Sequence, residues 1–218
     1  MSAPQPKIRF PFGNAYPHVV GSEDNNTYFD ENGFMRKVGT ATAYRDELQS
    51  LIKEAKNNPS DRITDNYAEG TLDFKTTAIP ADYAIVNIQI NHDWKVGSDV
   101  FPHLHWFQAQ DEEPNWLIQY RWQSNGAAKT TDWTNSPATG KVFDYTTGTI
   151  LQISRFAKIT PPEGAGLSDI LQIRIIRDSD NTSGEFEGAD PYTVVAAAVN
   201  FDIHIQVNTI GSNQEYIK

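Results

Sequence analysis

From about residue 64 to the C-terminal residue, apolar and polar residues alternate with a period of two, and turn residues interrupt the alternation at short intervals. Successive side chains of a strand point to opposite faces, so this pattern predicts a series of antiparallel strands. The predicted strands span residues 66–75, 83–91, 100–108, 115–124, 141–145, 149–158, 169–177 and 193–208. Eight strands of this kind predict an all-β fold, an antiparallel jelly-roll β-sandwich.

Two other patterns precede this domain. Residues 1–41 combine prolines and glycines with unevenly spaced aromatic residues, which predicts an extended N-terminal arm that packs on its own domain or on a neighbouring chain. In residues 43–57 apolar side chains recur at helical spacing, so we predict one short amphipathic helix within a helix and linker segment, 42–63. The apolar positions are Tyr44, Leu48, Leu51, Ile52 and Ala55. Residues 64–218 then form the sandwich.

Composition argues against several classes of function. The chain has 18 Lys and Arg residues against 28 Asp and Glu residues, a net charge of −10, and no basic cluster, so a nucleic-acid partner is not expected. It has no cysteine, which excludes disulfides and thiol chemistry. No apolar run is long enough for a membrane span and none resembles a signal peptide, so we expect a soluble protein made in a cytoplasm, with no membrane partner.

Three of the five histidines lie on two of the predicted strands. His103 and His105 share one face of the 100–108 strand, and Asp202 and His204 share one face of the 193–208 strand. If the two strands are neighbours, these four side chains offer nitrogen and oxygen ligands to Zn, Fe, Ni or Mn. The same four side chains could also form a purely structural hydrogen-bonded group.

The spacing of Gly97, His103 and His105 resembles the first motif of the cupins, which are jelly-roll metalloproteins. Gln110 stands where the cupin glutamate would fall, and the second cupin motif has no counterpart. We therefore predict structural histidines, hydrogen-bonded to Asp202 or to a neighbouring chain, and no bound metal or other cofactor. A cupin-like metal-binding protein stays open as an alternative.

Other candidate chemistry is weaker, and we predict no catalytic residue. There is no Gly-x-Ser-x-Gly motif for a serine nucleophile. The carboxylate pairs fall in loops that we predict to be solvated: Glu112 with Glu113, Glu185 with Glu187, and Asp178 with Asp180. Trp94, Trp133 and Tyr145 fall in or near predicted turns, where they could stack on sugars or anchor subunits. A carbohydrate-binding module is therefore a further alternative.

Four stretches of the chain resemble a group of virion proteins encoded in the structural regions of tailed phages. They are residues 101–106, 118–122 and 173–178, and residues 201–206 followed by Gly211, Ser212, Glu215 and Lys218. The resemblance covers about residues 64–218 and implies a non-enzymatic jelly-roll protein, made in the host bacterial cytoplasm and assembled as a homotrimer. We expect a decoration (cement) protein on the capsid surface that clamps neighbouring major capsid protein subunits. A tail, head-tail accessory or fibre protein is the alternative within this class.

The resemblance marks a structural signature on the two histidine-bearing strands, and we predict that these residues contact neighbouring subunits. The signature consists of His103, His105, Trp106, Asp202 and His204. The aromatic residues of the arm, Phe10, Phe12 and Tyr16, are predicted to make further subunit contacts.

Overall fold

The computed structural model describes residues 19–21, 26–29, 35–38, 44–50, 52–54 and 62–207. All regular secondary structure within these residues is β-strand, and none of the described residues belongs to a helix that could cross a membrane. The strands are β1 (Val19–Gly21), β2 (Asn26–Phe29), β3 (Met35–Val38), β4 (Tyr44–Ser50), β5 (Lys53–Glu54), β6 (Ile63–Asn66), β7 (Thr71–Phe74), β8 (Tyr83–Gln89), β9 (Phe101–Gln108), β10 (Trp116–Gln123), β11 (Thr134–Lys141), β12 (Ile150–Phe156), β13 (Ile170–Arg177) and β14 (Ala196–Val207).

The strands form two antiparallel sheets. Strands β1, β2 and β3 make a small sheet in that order. The other eleven join one sheet in the order β5-β8-β13-β10-β11-β12-β9-β14-β7-β6, with β4 also paired to β14. The all-β, antiparallel prediction is therefore confirmed.

The large sheet is nearly closed because two segments pass from one half of it to the other. The first part of β11 pairs with β10, from Thr134 to Pro137, and its second part pairs with β12, from Ala138 to Lys141. The register shifts between Ala138 and Gly140, and Gly140 has a φ of 129°, a conformation that glycine adopts without strain. On the other side, β4 pairs with β14 and β5 pairs with β8. The sheet therefore bends around a single core.

The core is filled by large side chains from both halves of the sheet. Trp116 lies at its centre, with Phe74 edge-on at 5.2 Å and Trp106 edge-on at 6.0 Å between ring centroids. Trp94 packs against Trp122 at 5.7 Å. Burial of such aromatic rings contributes a large share of the free energy of folding. Apolar residues of the inward faces surround these rings, among them Leu104, Ile118, Ile173, Phe201, Ile203 and Ile205.

The helix predicted over residues 43–57 is wrong for residues 44–50, which form β4. Seven residues of β4 pair in register with β14, from Tyr44 opposite Val207 to Ser50 opposite Phe201. Tyr44 and Leu48 are four positions apart, and an offset of four puts two residues on the same face of a helix and also on the same face of a strand. Pairing with β14 decides between the two structures.

Two of the predicted strand boundaries also change. The predicted strand 66–75 begins at the last residue of β6 and covers both β7 and the turn before it, which includes Gly70 with a φ of 69°. The segment between the predicted strands 115–124 and 141–145 contains most of β11, and the predicted strand 141–145 includes only its last residue. Its sequence, Thr-Asn-Ser-Pro-Ala-Thr-Gly-Lys, lacks the apolar alternation of a half-buried strand.

The N-terminal predictions are only partly within the described residues. Strands β1 to β3 lie in the segment predicted to be an extended arm, so part of it is sheet. Phe10, Phe12 and Tyr16 lie outside the described residues. The boundaries 1–41, 42–63 and 64–218 stay predictions, although β4 is already part of the large sheet.

The acidic 178–192 loop is held by a buried arginine. The Arg177 guanidinium donates from Nε to Asp190 Oδ2 at 2.6 Å and from Nη1 to the carbonyls of Phe74 at 3.0 Å and Val194 at 2.7 Å. It also donates from Nη2 to the Tyr192 carbonyl. Both Arg177 and Asp190 are buried. The loop is therefore held in place around a buried charge.

Asp169 fastens the start of β13 to the end of β10. Its carboxylate accepts hydrogen bonds from Trp122 Nε1 at 2.9 Å and from the backbone N–H groups of Gly166 at 2.8 Å and Asn125 at 2.9 Å. Burial raises the pKa of Asp169, but these hydrogen bonds lower it more, so the net pKa is below its usual value.

The Asp169→Asn variant should lose stability at neutral pH and much less at low pH. A carboxylate with a lowered pKa in the folded state stabilises the protein above the unfolded pKa of about 4, and this contribution disappears as the pH falls through the folded pKa. We expect a loss of about 1–3 kcal/mol at pH 7, measured as the urea dependence of unfolding. The exposed Asp144→Asn variant is the control. If the free energy of unfolding differed between wild type and Asp169→Asn by the same amount at pH 7 and at pH 2, this would contradict a lowered pKa of Asp169.

Candidate functional site

The two histidine-bearing strands, β9 and β14, are hydrogen-bonded neighbours. In their register His103 lies opposite Asp202, and His204 lies opposite Phe101. Because Leu104 and Trp106 point into the core, His103 and His105 project from the outer face of the sheet. Asp202 and His204 lie on the same outer face, between core residues of β14. The strands thus bring all four predicted candidates to one surface.

Strand β4 adds a carboxylate that the sequence alone did not indicate. Glu47 lies opposite His204 in the β4–β14 register, and Leu48 lies opposite the core residue Ile203. Glu47 therefore shares the outer face with Asp202 and the histidines. Reading residues 43–57 as a helix hid this relation, because the register of a strand is what places Glu47 beside β14.

Four side chains converge on one point of this face, and we call them the outer-face cluster: Glu47, His103, His105 and Asp202. One ligand atom from each lies within 4.8 Å of all the others. His105 Nε2 is 3.4 Å from Asp202 Oδ2, and His103 Nε2 is in close contact with Asp202 Oδ1. His204 is outside this group, although its ring stacks on His103 at 4.7 Å between centroids. The structure therefore replaces one predicted ligand, His204, with Glu47.

Asp202 is the most buried member of the outer-face cluster. Its side chain is fully buried, that of His103 is nearly so, and that of His105 is 22 % exposed. Both Asp202 oxygens lie beside imidazole nitrogens, Oδ1 beside His103 Nε2 and Oδ2 beside His105 Nε2. The two histidines are therefore the partners of the buried carboxylate.

Contacts within the outer-face cluster shift the pKa values of its members. Burial raises the pKa of Asp202, but contacts with the two histidines and Glu47 lower it more, so that it lies well below its usual range. Contact with Asp202 raises the pKa of Glu47, and contact with Asp202 also raises the pKa of His105. The lowered pKa favours the charged form of Asp202, and the raised pKa values of Glu47 and His105 favour their protonated forms.

An apolar groove runs along the same face beside His103. It has a volume of about 310 Å³ and is lined by Phe101, Pro102, His103, Val142, Ile153, Arg155, Phe156 and His204. Next to it Val142, Phe143 and Leu151 are exposed large hydrophobic side chains. Leu151 lies opposite Phe107 in the β12–β9 register, so the apolar surface continues across both strands.

The predicted interface residue Trp106 is instead a core residue. It is fully buried, its Nε1 donates to Ser154 Oγ at 2.9 Å, and its ring packs edge-on against Tyr192 at 5.4 Å. Strand alternation explains the difference, because a residue between two outward histidines must point inward. The interface roles of His103, His105, Asp202 and His204 stay predictions, although burial of Asp202 needs no second chain.

The aromatic residues proposed for sugar stacking do not form an open platform. Trp94 is buried in the core. The Trp133 ring is covered by the guanidinium groups of Arg121 and Arg174, at 4.4 and 4.0 Å from its centroid. The Tyr145 hydroxyl donates to backbone carbonyls within the chain. Stacking on Trp94 is therefore excluded, and Trp133 already has cationic partners.

A serine and histidine pair was also missed by sequence reasoning. His92 Nε2 is 2.6 Å from Ser168 Oγ, and Ser168 has a φ of 63°. The two residues are 76 positions apart and match no local motif, so the sequence gives no signal for the pair. Ser168 is buried, which shields its hydroxyl from a substrate in solvent.

The carboxylates considered in the loops are mostly occupied by local contacts. Asp178 is buried and accepts hydrogen bonds from the backbone N–H groups of Thr182 and Ser183, both at 3.1 Å. Glu113 accepts a hydrogen bond from Ser154 Oγ, and burial raises its pKa. These contacts stabilise loops and do not pair two carboxylates around a substrate.

The outer-face cluster and the neighbouring apolar groove are therefore the features of the described residues that need a functional explanation. Comparisons with protein families, with curated proteins and with solved structures find no match for the chain.

Proposed function

We propose that the chain is a non-enzymatic structural protein of a tailed-phage virion. In this proposal it is a jelly-roll capsid decoration (cement) protein, made in the host cytoplasm and located on the capsid surface. It forms a homotrimer and clamps neighbouring major capsid protein subunits. The resemblance of residues 64–218 to phage virion proteins and the net charge of −10 favour this function.

The strand order supports the jelly-roll part of the proposal. Strands β7-β14-β9-β12 are consecutive neighbours in one half of the sheet, and β8-β13-β10-β11 are consecutive neighbours in the other. The chain passes back and forth between the halves, and β11 contributes to both. Eight strands arranged in two four-stranded halves are what a jelly roll requires, and this fold is frequent in viral capsid proteins.

The main support for assembly into a trimer is an exposed apolar surface on β9, β12 and the segment after β11. We call it the β12 patch and define it by Phe107, Val142, Phe143 and Leu151. Three of its side chains are 43–51 % exposed, and they are contiguous with the apolar groove beside His103. Contiguous exposed apolar surface marks an interaction site, because its transfer from water to an interface is favourable. In the proposed trimer, a second copy of the chain covers the β12 patch.

The Leu151→Asp variant should convert the trimer to a monomer without unfolding it. A carboxylate in the middle of the β12 patch would lose its hydration when the interface closes, and a new unpaired charge there is costly. The measurement is native mass spectrometry with the thermal unfolding midpoint recorded in parallel.

The matched control is Val96→Asp, because Val96 is 56 % exposed in a turn away from the patch and Leu151 is 50 % exposed. This variant should remain trimeric. A trimeric Leu151→Asp protein would exclude the β12 patch as the interface. A wild-type chain that stays monomeric at high concentration would contradict the trimer itself.

The position on the virion is tested by copy number. Quantitative mass spectrometry of purified particles should find the chain in numbers comparable to the major capsid protein. A few copies per particle would instead favour the tail or head-tail accessory alternative.

A further inference from the structure

We propose that Glu47, His103, His105 and Asp202 form a binding site for a divalent transition metal on the outer face of the sheet. Two imidazole nitrogens and two carboxylate oxygens are a ligand set that Zn²⁺ accepts, and Fe²⁺, Ni²⁺ and Co²⁺ bind the same types of donor. The inference is independent of the virion assignment, because it rests on these four residues alone.

Three strands hold the donors in place. His103 and His105 come from β9, Asp202 from β14 and Glu47 from β4, and these strands are joined by continuous backbone pairing. Zn²⁺ with bonds of about 2.1 Å places tetrahedral ligand atoms about 3.4 Å apart. His105 Nε2 and Asp202 Oδ2 are separated by 3.4 Å, and all four donors lie within 4.8 Å of one another. A common ion can therefore be reached by small side-chain movements.

Asp202 gives a second indication. This carboxylate is fully buried, and its two oxygens lie beside the Nε2 atoms of His103 and His105, so three donors of the proposed site are already in contact. Buried charged groups in proteins are normally paired and hydrogen-bonded, or they coordinate a metal. A divalent ion would balance the charges of Asp202 and Glu47 while both imidazoles stay neutral.

The surroundings of the outer-face cluster suit a metal ion. His105 is partly exposed and Glu47 is exposed, so an ion can enter from solvent. The His204 ring stacks on His103 at 20° between planes, and Gln49 Nε2 donates to Glu47 Oε1 at 3.4 Å. Such neighbours fix the orientation of ligating groups.

The test uses the full chain, purified without a histidine tag and treated with chelator. Isothermal titration with Zn²⁺ at pH 7.5 should give one ion per chain, and native mass spectrometry should show the added mass. Co²⁺ should give the visible absorption of a low-coordinate nitrogen and oxygen site. Mg²⁺ should not compete, because it prefers oxygen ligands in octahedral geometry and gives up its bound waters reluctantly.

Glu47→Gln and His105→Ala should each weaken Zn²⁺ binding at least tenfold, because each removes one of four donors. Both side chains are partly exposed, so the variants are expected to fold, and circular dichroism checks this. His92→Ala, in the turn that follows β8, is the matched control and should bind Zn²⁺ as wild type does. His204→Gln should keep the one-to-one stoichiometry.

Two results would overturn the site. One is the absence of Zn²⁺ and Co²⁺ binding in the folded wild-type chain. The other is unchanged Zn²⁺ affinity in both Glu47→Gln and His105→Ala. If the oligomeric state of Leu151→Asp is measured with chelator present, failure of the metal site leaves the trimer proposal intact, and the reverse also holds.

Discussion

Replacing Arg177 with methionine should lower the free energy of unfolding by about 3–5 kcal/mol, because it leaves a buried carboxylate without its partner. The buried guanidinium holds Asp190 and three backbone carbonyls at once. Methionine fills a similar volume but donates no hydrogen bond, so these acceptors would lose their partners inside the protein. Urea unfolding at pH 7 measures the loss.

The control for this variant is Lys158→Met. Lys158 also forms a short ion pair, 2.5 Å from Asp99 Oδ2, but the lysine side chain is exposed. Exposed ion pairs contribute between zero and about 1 kcal/mol to stability, so the free energy of unfolding of this variant should be close to that of wild type. Equal effects of the two substitutions would show that the 178–192 loop is not organised by Arg177.

Replacing Trp106 with alanine should destabilise the fold by about 3–5 kcal/mol, which is a large part of the total stability of a typical domain. The side chain is fully buried between Trp116 and Tyr192, so its removal leaves a cavity. Trp106→Phe keeps most of the volume but loses the donor to Ser154 Oγ, and we expect a smaller loss of about 1–2 kcal/mol.

Tyr67→Ala is the control, because Tyr67 is largely exposed and such substitutions change stability by about 0.5 kcal/mol or less. The Trp106 variants also separate two interpretations of the same residue. If Trp106 were a subunit contact, Trp106→Ala would dissociate the oligomer and leave the urea midpoint of the monomer unchanged. A lower midpoint in the monomer is the result that the core position requires.

The sequence predicted the strands whose apolar alternation is strong. Strands β8, β9, β10 and β13 lie within one or two residues of their predicted positions, because Ile, Leu, Val and aromatic residues recur on their inward faces. β11 was missed because its position is fixed by partners on both sides and not by its own apolar residues. Local patterns cannot report pairing with distant strands.

The contrast between local alternation and long-range strand pairing also explains which members of the outer-face cluster the sequence identified. A period of two was enough to place His103 with His105, and Asp202 with His204, on single faces. Pairing of β9 with β14 makes those faces coincide. Glu47 could be found only by reading its segment as a strand, and the spacing of Tyr44 and Leu48 fits both structures. The sequence therefore identified His103, His105 and Asp202, but it included His204 in place of Glu47, which depends on the register of β4 with β14.

The short strands at the two ends of the large sheet also determine how copies of the chain can associate. Among the described residues, the main strand order ends at β5, with two residues, and at β6, with four, while the seven-residue β4 lies off this order and pairs with β14. Short edges offer few free backbone N–H and C=O groups, so they are poor templates for strand addition and for amyloid-like stacking. At the two ends of this strand order, association through side-chain surfaces is therefore favoured over edge-to-edge aggregation.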